Sequence, residues 1–453
     1  MFTLAMPVVM AELGWMTMGL VDTLMVGGIG PEAIGAVGIG SSLFMGVCIF
    51  AMGLFLGLDT LVAQAFGAGR VDECHRWLAY GVVLSVGLSV PITIVVLLLS
   101  SALGRWGLHP TVLQLTQPYL NVLAWSIPPL LLYASFRRYL QGMGVVRPVM
   151  IALVLANVLN ACVNWILIFG HLGAPAMGVR GSAWATVVAR IIMAGVLLAV
   201  ILYRERSFVS AWLRRGHGVT LAQPGERRQR SRIDMAPMGR LLALGLPAAS
   251  QVTLEVGVFA AATALAGRLA PAALAAHQIA INLASLTFMV PLGIASAGAV
   301  RVGHAVGRRD PHGAARSGWT AILFGVSFMS CAAAAFLFIP RVLIGAFTSD
   351  PSVLAIGVSL LFVGAVFQLF DGVQAVSTGV LRGLGDTRTP MLWNLAAHWF
   401  VGLPLGYALC FAFGLGVIGL WWGLSTGLII CGIALLAAWS QRVTALRRLD
   451  PSG

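Results

Sequence analysis

Apolar runs of about twenty residues recur from one end of the chain to the other, separated by short polar breaks. At 1.5 Å per helical residue each run is long enough to cross a bilayer core of roughly 30 Å. Backbone polar groups in lipid must be satisfied internally, so such runs are helices or the strands of a closed barrel. Alternation with a period of two is absent and Leu, Ala, Val and Gly dominate, which selects helices. The pattern predicts twelve spans, at roughly 2–26, 33–57, 77–103, 112–136, 148–170, 178–203, 240–266, 272–300, 316–340, 354–381, 391–413 and 416–440. The expected fold is an all-α polytopic membrane protein.

One long hydrophilic stretch interrupts this pattern. Residues 204–239 are polar and Arg-rich, and they separate two sets of six spans. The expected organisation is an N-lobe over 1–203, a cytoplasmic linker over 204–239 and a C-lobe over 240–453. The two halves repeat one another. Pro7, Gly27 and Gly67 recur 240 positions later as Pro247, Gly267 and Gly307, and LQGMGVVRP at 140–148 resembles LRGLGDTRTP at 381–390. Six spans is an even number, so both halves enter from the same side and are related by an axis along the membrane normal. Two pseudo-symmetric six-helix lobes of this kind hold a substrate between or within them, which points to transport.

Composition narrows the class further. Of 453 residues, 59% are hydrophobic and only 9% charged, which excludes a soluble globular domain. The formal charge of +13 comes entirely from arginine. With the N-terminus in the cytoplasm, 23 arginines fall on the inner side and four, Arg105, Arg180, Arg268 and Arg341, on the outer side. Arg190 is the one arginine assigned to a span. The basic charge thus marks orientation near anionic lipid, with both termini cytoplasmic in a bacterial inner membrane, and not a nucleic-acid surface. Six scattered cysteines form no CxxC pair and read as small packing residues. The chain opens as MFTLAMPVV, already inside the first apolar run and with no cleavable signal, which is consistent with a start upstream of Met1.

Five acids fall within or at the edge of spans: Glu12, Asp22, Asp59, Glu255 and Asp371. An acid at a helix centre costs about 3 kcal/mol to insert, so such residues usually handle ions or protons. Glu255 and Asp371 lie roughly 22 and 15 Å above the cytoplasmic ends of their helices, close enough to meet if the helices are neighbours. A coupled carboxylate pair in low dielectric holds a proton or a monovalent cation, because both groups cannot ionise cheaply. Asp22 lies near the outer end of the first span. Asn157, Asn160 and Asn164, spaced three and four apart on one helix face, join it with Thr186 as a second candidate polar cluster. Glu12 and Asp59 are weaker candidates, Asp59 as a residue that ends the second span. His277, Gln278, Asn282, Gln368 and Gln374 read as cavity lining or as links between helices, and His398 as a buried core residue.

VDTLMVGGIG (21–30), VAQAFGAG (62–69), AAHQIAIN (275–282), RVGHAVG (301–307) and FDGVQAVSTGVLRGLGDTRTP (370–390) together resemble the multidrug and toxic compound extrusion (MATE) family, in its NorM-like branch. The resemblance spans essentially the whole chain. It implies two six-helix lobes around a V-shaped cavity, and export of cationic, amphipathic organic compounds in exchange for Na⁺ or H⁺. It implies no cofactor beyond that coupling ion, and a monomer in the bilayer. In NorM-like members the acids of the cation site match Glu255 and Asp371, and the first-helix acid matches Asp22. An N-lobe polar cluster used by other branches matches Asn160, Asn164 and Thr186, with Asn164 standing where some members have Asp. Phe367 stands where a Tyr ligand is expected. Two alternatives fit less well. A flippase for lipid-linked sugars needs a cationic cavity, and a polytopic enzyme needs an acid-bearing outer loop or a soluble catalytic domain.

Overall fold

The computed structural model describes residues 2–107, 109–206 and 235–448, so most of the Arg-rich linker lies outside the described residues. Within them, twelve helices are long and apolar enough to cross a membrane. They are α1 (Thr3–Gly27), α2 (Pro31–Gly67), α3 (Val71–Arg105), α4 (Pro110–Gly142), α5 (Arg147–Phe169), α6 (Val179–Arg204), α7 (Ala236–Ala266), α8 (Pro271–Gly307), α9 (Pro311–Phe338), α10 (Pro351–Leu384), α11 (Arg388–Ala412) and α12 (Gly416–Arg448). Large apolar side chains such as Leu20, Val86, Leu98, Ile151, Phe338 and Phe400 are exposed around the bundle. An outer surface of that composition is what a lipid-facing protein presents, since lipid tails need no polar cover. We call the end holding the starts of α1 and α7 and the end of α12 proximal, and the opposite end distal.

The internal repeat is visible in the helices. α2 and α8 each span 37 residues and start 240 positions apart, at Pro31 and Pro271. Proline at the first helical position fits because its missing N–H would have had no partner there. Local chemistry also fixes other helix starts. The Asp310 carboxylate accepts from the Gly313 N–H at the start of α9, and Asp350 accepts from Ser352 and Val353 at the start of α10. The Ser352 hydroxyl, followed by those backbone donors, holds the Asp350 pKa below its ordinary value. Irregular turns interrupt the spans at Phe55 in α2 and at Ala124–Ser126 in α4, just before Pro128 and Pro129. In α11, wide π-helical turns occupy Leu395–Gly402 and Ala408–Ala412, either side of Pro404.

The halves meet along α1, α2 and α4 on one side and α7, α8 and α10 on the other, and the contacts come in mirrored pairs. His304 Nε2 donates to the Gly142 carbonyl at 2.7 Å, while Gln64, its counterpart 240 residues earlier, donates to the Gly383 carbonyl at 3.1 Å. Gly53 packs on Ala249, and Gly293 packs on Val9. Gly67 lies against the His304 backbone, and Gly307 lies against the Gln64 carbonyl; Ala63 faces Gly303 between them. A Cβ on Gly67 or Gly307 would collide with backbone, so these glycines set how closely the halves approach. All of these contacts lie in the proximal half of the bundle.

Charges reinforce the same end and correct the sequence reading. Spacing alone ends the fourth span at 136 and leaves Arg137 and Arg138 in a loop, whereas α4 continues to Gly142 and buries Arg137. Arg137 forms an ion pair with Glu12 of α1. Asp59 does not end the second span either. It lies inside α2, 1% exposed, 3.1 Å from Arg138 and 4.0 Å from Arg382 of α10. Thr60 beside it donates to the Arg382 carbonyl at 2.7 Å. Arg190 is therefore one of several arginines buried within helices. A guanidinium beside a carboxylate is tolerated in a dry setting, and a hydropathy window sees the charge without its partner.

Two outcomes test this account of the proximal contact. Gly307→Val should cost about 1–3 kcal/mol by overpacking against backbone that cannot yield. The measurement is the melting temperature in detergent, and an unchanged value removes the close contact from the account. Asp59→Asn leaves Arg138 and Arg382 without their carboxylate and should cost about 3 kcal/mol. Adding Arg138→Met should recover part of that loss in denaturant unfolding; a double variant no more stable than the single shows that the pair does not hold this end.

Candidate functional site

Glu255 lies in the middle of α7 and is half-buried. Three carboxamides from three helices donate to the same oxygen, Oε2. Gln251, one turn earlier on α7, donates at 3.0 Å. Gln374 of α10 donates at 3.3 Å and Asn394 of α11 at 3.4 Å, both longer and weaker bonds. The helices α7 and α10 meet through this side-chain bridge, with α11 completing the cradle. Trp399, in the first π-helical stretch of α11, donates to the Leu254 carbonyl at 3.0 Å and fixes the backbone beside Glu255. π-helical turns are frequent at functional sites.

Asp371 lies one turn before Gln374 on the same face of α10. It is 5% exposed, and no described residue donates a hydrogen bond to it. Gln374, on the same helix face, bonds Glu255, so Asp371 lies one turn from a residue that touches the Glu255 carboxylate. Phe367 and Phe370, just before it on α10, belong to an apolar cluster with Val258, Ala262, Ala284, Leu424, Leu428 and Trp399. A carboxylate in such a place, with no donor of its own, is costly as a bare anion. It is the kind of group whose charge is cancelled by an ion or a proton.

The second acid has the opposite environment. Asp22 accepts from Asn164 Nδ2 at 2.6 Å and from Thr186 Oγ1 at 2.9 Å. Asn164 also donates to Asn160 Oδ1 at 3.1 Å. Arg190, one turn beyond Thr186, turns its guanidinium to Ser126, to which it donates, and lies 4.6 Å over the Phe44 ring. Asn160, Asn164 and Thr186 thus gather around Asp22 as the spacing suggested. Asn157 stands apart: its amide donates to the Gly14 carbonyl on α1 and the Leu153 carbonyl on α5, so it ties one helix to another.

The structure redistributes the other candidates. His277 is fully buried, with Trp421 Nε1 donating to its Nδ1 at 3.0 Å. Its Nε2 must then carry the proton, which it donates to Thr263 at 2.9 Å. That ring is a neutral packing element and does not line a cavity. Phe367 is packed between Phe259 and Trp421, with ring centroids 5.9 and 5.6 Å away. Gln368 is buried and donates to Thr287 of α8. Gln278 and Asn282 are exposed, and Gln374 belongs to the Glu255 site. Gln251 and Asn394 were not legible as site residues. Gln251 carried a signal, one turn from Glu255 on a shared face, whereas Asn394 stood in an apolar run with no acid near it in sequence. Among the described residues no group of three or more His, Cys, Asp or Glu side chains is placed to hold a metal.

Comparison with known proteins identifies the family. The MatE family model matches residues 7–166 and 247–408, one match in each half. The chain is 37% identical over 451 residues to the probable multidrug resistance protein NorM of Mesorhizobium japonicum, covering 97% of this chain and 92% of that protein. It is 34% identical over 445 residues to the multidrug resistance protein NorM of Aliivibrio fischeri, covering 97% and 94%. Its fold resembles the crystal structure of the eukaryotic MATE transporter AtDTX14, with a TM-score of 0.83 at 20% identity over 99% of this chain and 97% of that one. A second likeness, to a multidrug resistance MATE family transporter of the MOP superfamily in an outward-facing conformation, has a TM-score of 0.81 at 22% identity over 98% and 95%. With a family model over most of its length and relatives above 30% identity across nearly all of it, the chain belongs to the MatE family.

Proposed function

We propose that this protein is a multidrug efflux transporter that exports cationic or amphipathic organic compounds in exchange for Na⁺ or H⁺. The observation that carries the exchange is the pair Glu255 and Asp371, with Asp371 buried and without a hydrogen-bond donor. Such a site has one inexpensive way to persist in lipid, which is to be neutralised by a mobile cation. The positive-inside rule favours a cytoplasmic proximal end, and a bundle closed there by the Gly67 and Gly307 contacts would load from outside. Ion binding cancels the buried charge, alters which packing of the halves is favoured and releases an organic cation held by the same charge. The reverse conformation frees the ion to the cytoplasm and admits the next compound. Coupling needs only that ion and compound compete for one charge or prefer different states. The transporter works as a monomer in the inner membrane with no cofactor. Asp22 ranks second, because its oxygens already have donors.

The flippase alternative needs cationic groups free to meet a pyrophosphate. The arginines that α4 and α10 bury are already engaged, Arg137 by Glu12 and Arg138 and Arg382 by Asp59. Asp350, one of the outer-loop acids that an enzyme would need, is occupied as the cap of α10.

Dye efflux from proteoliposomes, driven first by an imposed Na⁺ gradient and then by a pH gradient, tests the reading. Glu255→Gln and Asp371→Asn should each lower the driven rate at least about tenfold, the range expected when a coupling charge worth more than 1.4 kcal/mol is removed. Wild-type rates in both variants would sink the proposal.

A further inference from the structure

The carboxamides around Glu255 have a property that carboxylates and hydroxyls lack. Each bears a donor and an acceptor on one carbon, and a half-turn about the broad terminal torsion exchanges them. In this structure Gln374 and Asn394 turn their N–H groups to Glu255 Oε2. Their oxygens, Gln374 Oε1 and Asn394 Oδ1, are buried and accept no hydrogen bond, in residues only 1% and 0% exposed. A half-turn of either amide therefore breaks one long bond to Glu255 and no bond at the oxygen. Gln251, with the shortest of the three bonds and an oxygen that is not stranded, is the fixed donor of the set.

We propose that Gln374 and Asn394 are ligands of the coupling ion, and that they switch from donating to Glu255 when the site is empty to presenting their oxygens when a monovalent metal cation of the Na⁺ type occupies it. The inference rests on the reading of Glu255 and Asp371 as the coupling pair. An empty site leaves a carboxylate that needs donors, and a filled site holds a cation that repels the same N–H groups. The amide satisfies both states by rotation alone, at no cost in rearranged helices. Two carboxylates and two carbonyl oxygens from α7, α10 and α11 make an all-oxygen set, the preference of a hard cation. The chemistry favours the metal ion over the proton as the occupant. A proton on Glu255 would employ at most one of the two stranded oxygens, whereas a cation employs both. The switch also links occupancy to the packing of α10 and α11, because both amides are rooted in those helices.

Direct binding of ²²Na⁺ to the purified, full-length protein at fixed pH tests the switch. The variants are Gln374→Leu and Asn394→Leu, which remove donor and oxygen at nearly constant volume, and Asn394→Asp, which keeps an oxygen and removes the donor. The leucine variants should weaken Na⁺ binding at least tenfold, while Asn394→Asp retains it. Retention by aspartate with loss in leucine is a pattern that a merely structural amide would not produce. Binding of a fluorescent organic cation in Na⁺-free buffer, and a single symmetric peak on size exclusion, show that the variants are folded. Where a leucine variant fails that control, Gln374→Met and Asn394→Ala replace it. Wild-type Na⁺ affinity in folded variants lacking the amide oxygen overturns the inference, as does wild-type protein that binds no Na⁺. If Glu255→Gln abolishes efflux while the leucine variants bind Na⁺ normally, the switch alone fails and the coupling pair stands. If Glu255→Gln and Asp371→Asn both transport as wild type, both fail.

Discussion

The constraint on which this structure rests is the backbone approach of α2 to α8 at the proximal end. Gly67 against His304 and Gly307 against Gln64 form a self-complementary contact, repeated on either side of Ala63 and Gly303. Two helices at that separation must turn their larger side chains elsewhere. The backbone carbonyls of Gly142 and Gly383 each receive a side-chain donor from the opposite half, which orients α4 and α10 to the same axis. A bundle joined so tightly at one end has the freedom to separate at the other. This is the geometric precondition for a transporter that opens to one side at a time.

The repeat shares a scaffold and divides the chemistry. The contacts that recur in both halves are made by glycine, alanine and backbone atoms, which tolerate a duplicated sequence because they demand only smallness. The acids do not recur. The position equivalent to Glu255 is Trp15, which stacks on Tyr133 at 6.2 Å, and the position equivalent to Asp22 is Ala262. One half therefore holds a carboxylate pair with no cationic partner, and the other a carboxylate with both oxygens held by side-chain donors. Charge within these helices has met three fates. Of the five acids singled out in the spans, Glu12 and Asp59 are consumed by arginines that brace the proximal end, Asp22 is held by its amide and hydroxyl partners, and Glu255 and Asp371 have no ion-pair partner among the described residues. Absence of a fixed countercharge is what makes a mobile one useful.

The helices were legible because lipid allows so few alternatives. Twenty apolar residues must form a helix there, and the count of twelve, the repeat and the candidate acids all follow from composition and spacing. The ends of the helices were less legible. Arg137 and Arg138 look like loop residues because a linear window cannot register that Glu12 lies 125 positions and Asp59 lies 79 positions away. Asn157 and Asn164 carry the same signal, one helix face in one polar stretch, yet one binds helix to helix and the other binds Asp22.

By itself the sequence determined the class, the twofold repeat, the membrane spans and the presence of acids too costly to be accidental, since each follows from local composition and period. Only the tertiary structure decided which acids are neutralised by a partner and which remain open. The same residue types at the same depth serve as brace, cluster or ion site according to what a distant helix brings within about 3 Å, the reach of a hydrogen bond. Gln374 and Asn394 are the clearest case: two amides unremarkable in sequence whose buried oxygens acquire meaning only beside Glu255.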